Sequence, residues 1–226
     1  MGEHDGHRDR LRKRFLEQGM DVLQDDQVLE LLLFYALPRR DTNDLARKLL
    51  KHFGSIAAVL EAPLQELKTV GGIGESAAVL LHLITPLARR YLLSRVSPGV
   101  VLTSTQACGE YLLPYFFGAT EELVYLLCLD GRCRVLACRL LQRGGINSAS
   151  FSLRKVAEIA ISSHATSVVL AHNHTSGVAL PSQADLETTH MVRSTLLPLD
   201  ISLADHIIVA DNDFVSMAES GCLHTL

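Results

Sequence analysis

Two histidines separated by one residue, His172 and His174, close the apolar run SVVLAHNH. At the end of an extended strand, residues i and i+2 point to the same side, so the two imidazoles can converge on one ion. Eight residues past His174 stands Ser182, and three beyond it Asp185. Pro181-Ser182 reads as a helix start with Ser182 as N-cap. Asp185 then falls in the first turn of a helix that a short loop connects to the histidines. Two imidazoles and one carboxylate are a three-ligand set suited to Zn²⁺, with a fourth position left for water. Zinc brings the pKa of such a water to about 7 and supplies a hydroxide nucleophile at neutral pH. Ser182-x-x-Asp185 is also a capping-box pattern, although that box prefers Glu or Gln at its last position. One hydroxyl can cap the helix and also face a metal pocket.

Elements to hold such a set are legible on both sides of it. LVYLLCLDGRCRVLACRLL carries two apolar runs around Asp130-Gly131, a dipeptide that predicts a two-residue β-hairpin with Cys128 and Cys133 facing each other across it. SVVLAHNH predicts a buried strand and HIIVADNDFVSM a late hairpin, with helical stretches LRKVAEIAISSH and SQADLETTHMVRSTLL between them. Strands alternating with helices predict an α/β or α+β layer. Residues 1–98 have a different pattern. DDQVLELLLFYAL, NDLARKLLKHF, SIAAVLEA and ESAAVLLHLI show helical spacing with no period of two. The stretch 94–106, SRVSPGVVLTSTQ, reads as a linker. Two domains are therefore expected, a helical one over 1–98 and a sheet domain over 103–226.

Composition narrows the function classes. The 226 residues are 48% hydrophobic and 20% charged, which predicts a packed globular protein. Net charge is −4, against binding of nucleic acid by bulk charge. Residues 1–98 hold 14 Lys/Arg and 13 Asp/Glu; residues 99–226 hold 7 and 12, and also six of the ten histidines. The second half thus points to metal chemistry more than to a phosphate surface. No apolar run reaches the roughly 18 residues that span a bilayer. The polar start MGEHDGHRDR does not fit a secretory signal, and five cysteines without dense spacing do not make a disulfide framework. A cytoplasmic protein with reduced thiols and no membrane contact is expected.

At His172, His174, Ser182 and Asp185 the sequence resembles the JAMM (MPN-type) metalloprotease motif, H-x-H, seven residues, S, two residues, D. The wider context is similar to the bacterial RadC family. HNHTSG looks like its HNHPSG box, LLCLDGRCRVLACRLLQRGGINSAS like its hairpin-and-glycine segment, LADHIIVADNDFVSMAESG like its C-terminal end, and GGIGESAAVLLHL like its N-terminal helix-hairpin-helix. The resemblance implies an N-terminal helical domain followed by a JAMM/MPN-like, cytidine-deaminase-like sheet flanked by helices. It implies zinc on His172, His174 and Asp185, Ser182 as a donor to the oxyanion, and a glutamate at the start of an earlier strand as general acid/base. Glu122 opens ELVYLLCLD at the matching place, with Glu121 as its neighbour and competitor; successive strand residues face opposite sides, so one of the two points at the metal. The implied activity is hydrolysis of a peptide or isopeptide bond in a peptide or protein substrate. Thr175 stands where the family has proline, Val178 where it has an acidic residue, and Lys155 where an acidic residue is more frequent. None of these removes a ligand.

Weaker signals point to other partners. Gly72-Ile73-Gly74 fits a helix-hairpin-helix, whose backbone N–H groups can meet a DNA phosphate. Glu75 and Ser76 follow where DNA-binding versions carry basic residues, so a tight packing turn is the competing reading. DNA repair or recombination through this hairpin is the alternative function, and a non-catalytic interaction module is a second. His206, in LADHIIV, is either a structural donor or a group behind the metal pocket.

Overall fold

The computed structural model describes residues 3–38, 40–97, 99–146, 151–211 and 213–223. The chain divides into two compact units, Met1–Ala88 and Arg89–Leu226. In the first, α1 (Glu3–Gln18), α2 (Asp25–Ala36), α3 (Asn43–Phe53), α4 (Ile56–Glu61) and α5 (Leu64–Leu67) precede α6 (Glu75–Ser94), which continues past the unit boundary. The apolar residues recur at helical spacing and meet in one core: Leu29 and Leu33 of α2, Leu45 and Leu49 of α3, Val59, Leu67, and Ala77 and Leu81 of α6. The turn before α6 needs a left-handed residue, and Gly72 supplies it at φ 104°.

The second unit continues with α7 (Thr105–Phe116), β1 (Leu123–Leu129), β2 (Val135–Arg143), α8 (Leu153–Ser162), β3 (Ser167–Asn173), α9 (Gln183–Leu196), β4 (Ser202–Ala210) and β5 (Asp213–Ser216). The strands form one mixed sheet in the order β2-β1-β3-β4-β5. β3 and β4 pair in parallel, with α9 between them in the chain; the other pairs are antiparallel. Helices cover both faces, which is why β1 is a continuous apolar run buried at every residue instead of an alternating one. Leu123, Tyr125, Leu127, Val169, Ala171 and Ile207 pack with Leu112 and Phe116 of α7. On the other face Val124, Leu126, Cys128, Val168 and Leu170 pack with Val156 and Ala160 of α8 and Val192 and Leu196 of α9. Fully burying each such Leu or Val stabilises the unit by roughly 1.5–3 kcal/mol before entropy is counted. Gly109 lets α7 approach β5: a Cβ there would lie 2.2 Å from the Phe214 ring.

Two expectations need correction. The β1–β2 connection is not a two-residue hairpin. The Asp130 side chain accepts from the backbone N–H groups of Arg132 (2.8 Å) and Arg134 (2.9 Å), and Cys133 takes the left-handed position at φ 57°. This side-chain clasp stabilises a longer turn, so Cys128 pairs with Ala137 and not with Cys133. The stretch 94–106 is more than a linker. Ser94 still belongs to α6, and Ser104 caps α7 by accepting from Ala107 N at 3.1 Å. Between them Leu102 N donates to Cys133 O and Val135 N to Val100 O, both at 2.8 Å, which ties the segment to the β1–β2 turn. Residues 147–150, the end of the glycine segment, lie outside the described residues.

Candidate metal centre

The site lies where β3 leaves the sheet under the start of α9. Register sets which side chains share its face. Val124 of β1 stands opposite His172, while Leu170 and His172 neighbour His206 and Ile208 of the parallel strand β4. Val124, Leu170, His172 and His206 therefore look toward α9, as does His174 two residues on. α9 starts with Ser182 as N-cap, and its first turn brings Asp185 over the histidines.

The three side chains meet. His172 Nε2 lies 2.9 Å from His174 Nε2 and 3.0 Å from Asp185 Oδ1, and His174 Nε2 lies 3.4 Å from Asp185 Oδ2. Among the described residues this is the group of three or more His, Cys, Asp or Glu whose ligand atoms all lie within 4.8 Å of one another. Ligands held at 2.0–2.2 Å around a tetrahedral ion stand about 3.4 Å apart, so the cluster needs to open by only a few tenths of an ångström. His172 and Asp185 are 1% exposed, while the His174 side chain keeps 16%, which leaves one side of the cluster toward solvent.

Proton inventory favours a cation at the centre. His174 Nδ1 lies 2.9 Å from the Val178 carbonyl, which can only accept, so that nitrogen carries the ring proton and Nε2 offers a lone pair. Asp185 Oδ1 is a buried oxygen with no hydrogen-bond partner. A buried carboxylate oxygen without a donor is costly unless a positive charge meets it. Burial pushes the Asp185 carboxyl upward, but the adjoining His172 ring and the hydrogen bonds from Ser182 outweigh it and hold the group well below the usual carboxylate range. The donor set of two imidazoles and one carboxylate thus fits a metal ion.

Ser182 serves Asp185 twice. Its backbone N–H donates to Oδ2 at 2.7 Å and its hydroxyl at 2.6 Å, while its oxygen accepts from Asp185 N at 3.3 Å. The capping-box reading is realised in this reciprocal pair. Val178 acts through its main chain, so replacing an acidic residue there leaves the contact to His174 intact. Lys155 donates to the Leu141 carbonyl, clear of the ligands.

The two glutamates before β1 part company. Glu121 pairs with Arg143 at 2.5 Å. Asn173, pointing away from the ligands, clamps the strand start by accepting from Leu123 N at 2.7 Å and donating to Glu121 O at 3.2 Å. Glu122 immediately precedes β1, two residues before Val124, the partner of His172; strand alternation carried one residue past the end of β1 would set it on the His172 face and Glu121 on the opposite one. Glu122 is half-buried, and its carbonyl accepts from Gly144 N at 2.8 Å.

Sequence reasoning left two supporting residues out. Thr189 lies four residues after Asp185, on the same helical face, and its hydroxyl meets His206 Nδ1 at 2.6 Å. That i+4 spacing was the available signal. Asn173 had none, since its clamp depends on antiparallel register.

Gly72 and Gly74 lie in the first unit. Ile73 N donates to Val70 O at 3.0 Å and Ala78 N to Gly74 O at 3.0 Å, so the glycines do form a tight turn into a helix. A cleft of about 390 Å³ beside the turn is lined by Lys48, Lys51 and His52 of α3 with Thr69, Val70 and Gly71. Glu75 is ion-paired with Lys68.

Comparison with known proteins matches residues 102–222 to the RadC-like JAB domain and residues 5–79 to the UPF0758 N-terminal domain. A UPF0758 protein of Stutzerimonas stutzeri is 38% identical over 213 residues, covering 94% of this chain and 95% of the relative. One from Nitrosococcus oceani is 39% identical over 215 residues, covering 95% and 96%. UPF0758 protein Bxeno_A3578 of Paraburkholderia xenovorans is 34% identical over 210 residues, covering 93% and 83%.

Proposed function

The chain belongs to the UPF0758 (RadC) family, and on that premise we propose that its JAB-type domain is a zinc-dependent hydrolase of peptide or isopeptide bonds. The observation that carries the reading is the convergence of His172 Nε2, His174 Nε2 and the partnerless Asp185 Oδ1 at one buried point with a side toward solvent. His172, His174 and Asp185 hold the ion. When bound, zinc supplies Lewis acidity, bringing the pKa of water to about 7 and polarising a carbonyl. Glu122 takes the proton from the attacking water and delivers it to the leaving nitrogen. The Ser182 hydroxyl turns from Asp185 to the developing oxyanion, an interaction worth roughly 3–4 kcal/mol in comparable sites. The unpaired thiols of Cys108, Cys128, Cys133, Cys138 and Cys222 suit a reducing compartment, and we assign the enzyme to the cytoplasm. Metal analysis of the purified chain tests this: about one zinc per chain is expected, lost in His174→Ala and in Asp185→Ala. Full retention in both variants refutes the ligand set.

A second reading, a DNA repair or recombination accessory, is favoured by one observation. Lys48, Lys51 and His52 line the cleft at the glycine turn, supplying from α3 the basic groups that residues 75 and 76 lack, and Lys68 offsets Glu75. Binding of the full chain to a short duplex between 50 and 200 mM salt tests it. Each lost phosphate contact lowers the log–log salt slope by about 0.9, so Lys48→Ala/Lys51→Ala should lower it by about 1.8. No binding at 50 mM salt rejects the reading.

A further inference from the structure

Behind His172 the buried polar groups continue inward in a single file. His172 Nδ1 lies 2.9 Å from His206 Nε2, His206 Nδ1 lies 2.6 Å from Thr189 Oγ1, and the Thr189 hydroxyl donates to the Asp185 backbone carbonyl. His172, His206 and Thr189 are all at most 2% exposed, so no water competes for these contacts. The file begins and ends at Asp185, whose side chain and main chain belong to the same helical turn. His206 is itself anchored: Asp205 accepts its backbone N–H at 2.7 Å and is held by Ser216 Oγ at 2.6 Å and Ala218 N at 3.0 Å.

We propose that Thr189 and His206 are positioning residues that hold His172 in the one tautomer able to ligate, and that they thereby set the affinity of the centre for its metal. The inference rests on the metal-site reading above. A carbonyl can only accept, so the single hydroxyl proton of Thr189 goes to Asp185 O, a frequent bond for threonine inside a helix. Thr189 Oγ1 then has only lone pairs left for His206, which places the His206 proton on Nδ1. A neutral imidazole with that proton has its lone pair on Nε2, where it receives Nδ1–H of His172. His172 Nε2 is left bare, aimed at Asp185 and His174. Reversing every bond in the file would put a proton on His172 Nε2, in the place of the metal. The helix carbonyl decides the direction. His174 has its own lock in the Val178 carbonyl, so the two imidazole ligands are oriented by independent devices, one in the loop and one in the core.

The test is zinc affinity of the full chain, measured by competition with a chromophoric chelator, together with ¹⁵N-edited NMR of the zinc-loaded protein. Thr189→Val keeps the shape and removes the acceptor, leaving His206 Nδ1–H orphaned when His172 ligates. It should weaken zinc binding by roughly 10–100-fold, the range for lost partners of metal-bound histidines. Thr189→Ser, which restores the hydroxyl, should stay within about threefold of wild type. The wild type and Thr189→Ser should show a slowly exchanging His206 Nδ1 proton that is shifted or lost in Thr189→Val. If Thr189→Val fails to fold, judged by circular dichroism, Thr189→Ala removes the same oxygen without adding bulk and carries the same expectation. Wild-type affinity in the valine or alanine variant, with zinc bound one to one, overturns the positioning role and leaves the metal site standing. A wild-type chain that binds no zinc overturns both.

Discussion

Replacing Ser182 with alanine should reveal whether the carboxylate it serves is a metal ligand. The substitution removes two contacts of one oxygen: acceptance from Asp185 N at 3.3 Å and donation to Asp185 Oδ2 at 2.6 Å. The bond from Ser182 N to Oδ2 at 2.7 Å survives, because it is main chain. Loss of an N-cap costs about 1 kcal/mol, and loss of a hydrogen bond to a charged group about 1.5–3 kcal/mol. Ser182 faces solvent, so water recovers part of the second contribution, and a total of about 2–3 kcal/mol is expected without metal. That is a change of roughly 30–150-fold in the unfolding equilibrium of the second unit, or a fall of about 1 M in the urea midpoint by far-UV circular dichroism. With saturating zinc the ion takes over the charge of Asp185, and the hydroxyl matters only as a cap. The loss should then shrink to about 1 kcal/mol. An equal loss in chelator and in zinc refutes the reasoning, since Asp185 would then be indifferent to the ion.

Glu122→Gln should keep zinc and lower turnover of a fluorogenic peptide-amide library by about 10²–10⁴-fold. Glu121→Gln, which disturbs a pair with Arg143 on the opposite face, should keep both zinc and turnover; the reverse ranking rejects the assignment. Burial pushes the thiol of Cys138 up to about 12 and that of Cys108 up to about 11. The buried Cys108 should resist iodoacetamide at pH 8 in the folded chain, while the half-exposed Cys133 and Cys222 are alkylated, as peptide mass mapping will show. These raised thiols stay protonated in the folded state over a range where the unfolded chain ionises. Stability should therefore fall as pH rises through 9 toward 12, and an unfolding midpoint that is flat from pH 8 to 10.5 contradicts the direction of the shifts.

What could be read from the sequence followed from local spacing. His172 and His174 share a side because a strand alternates, and Asp185 reaches them because Ser182 starts a helix three residues earlier. The helical first unit, the buried β1, and the late hairpin of β4 and β5 were legible for the same reason. The β1–β2 turn was misread because Asp130 acts through its side chain, which a dipeptide rule does not see. α7 went unseen because it begins inside a Ser/Thr/Pro-rich stretch whose composition resembles a linker. The basic residues beside the glycine turn were sought in the positions that follow it, but they arrive from α3, some twenty residues earlier in the chain.

The division between Glu121 and Glu122 shows how a non-local fact completes a local one. Alternation alone says that the two point opposite ways; it does not say which way. The antiparallel pairing of Val124 with His172 does, by tying the parity of β1 to the parity of the ligands. The same logic brings in His206. It is an isolated histidine in sequence, thirty-four residues from His172, and becomes its neighbour because β3 and β4 run parallel with Leu170 beside His206. A shift of one residue in either pairing would turn Glu122 or His206 to the α7 face, away from the cluster, and remove the base and the tautomer lock proposed above. The centre therefore depends on two strand registers, and these are held by apolar residues on both faces of the sheet: Val124 and Leu126 under α8 and α9, Leu123 and Tyr125 under α7.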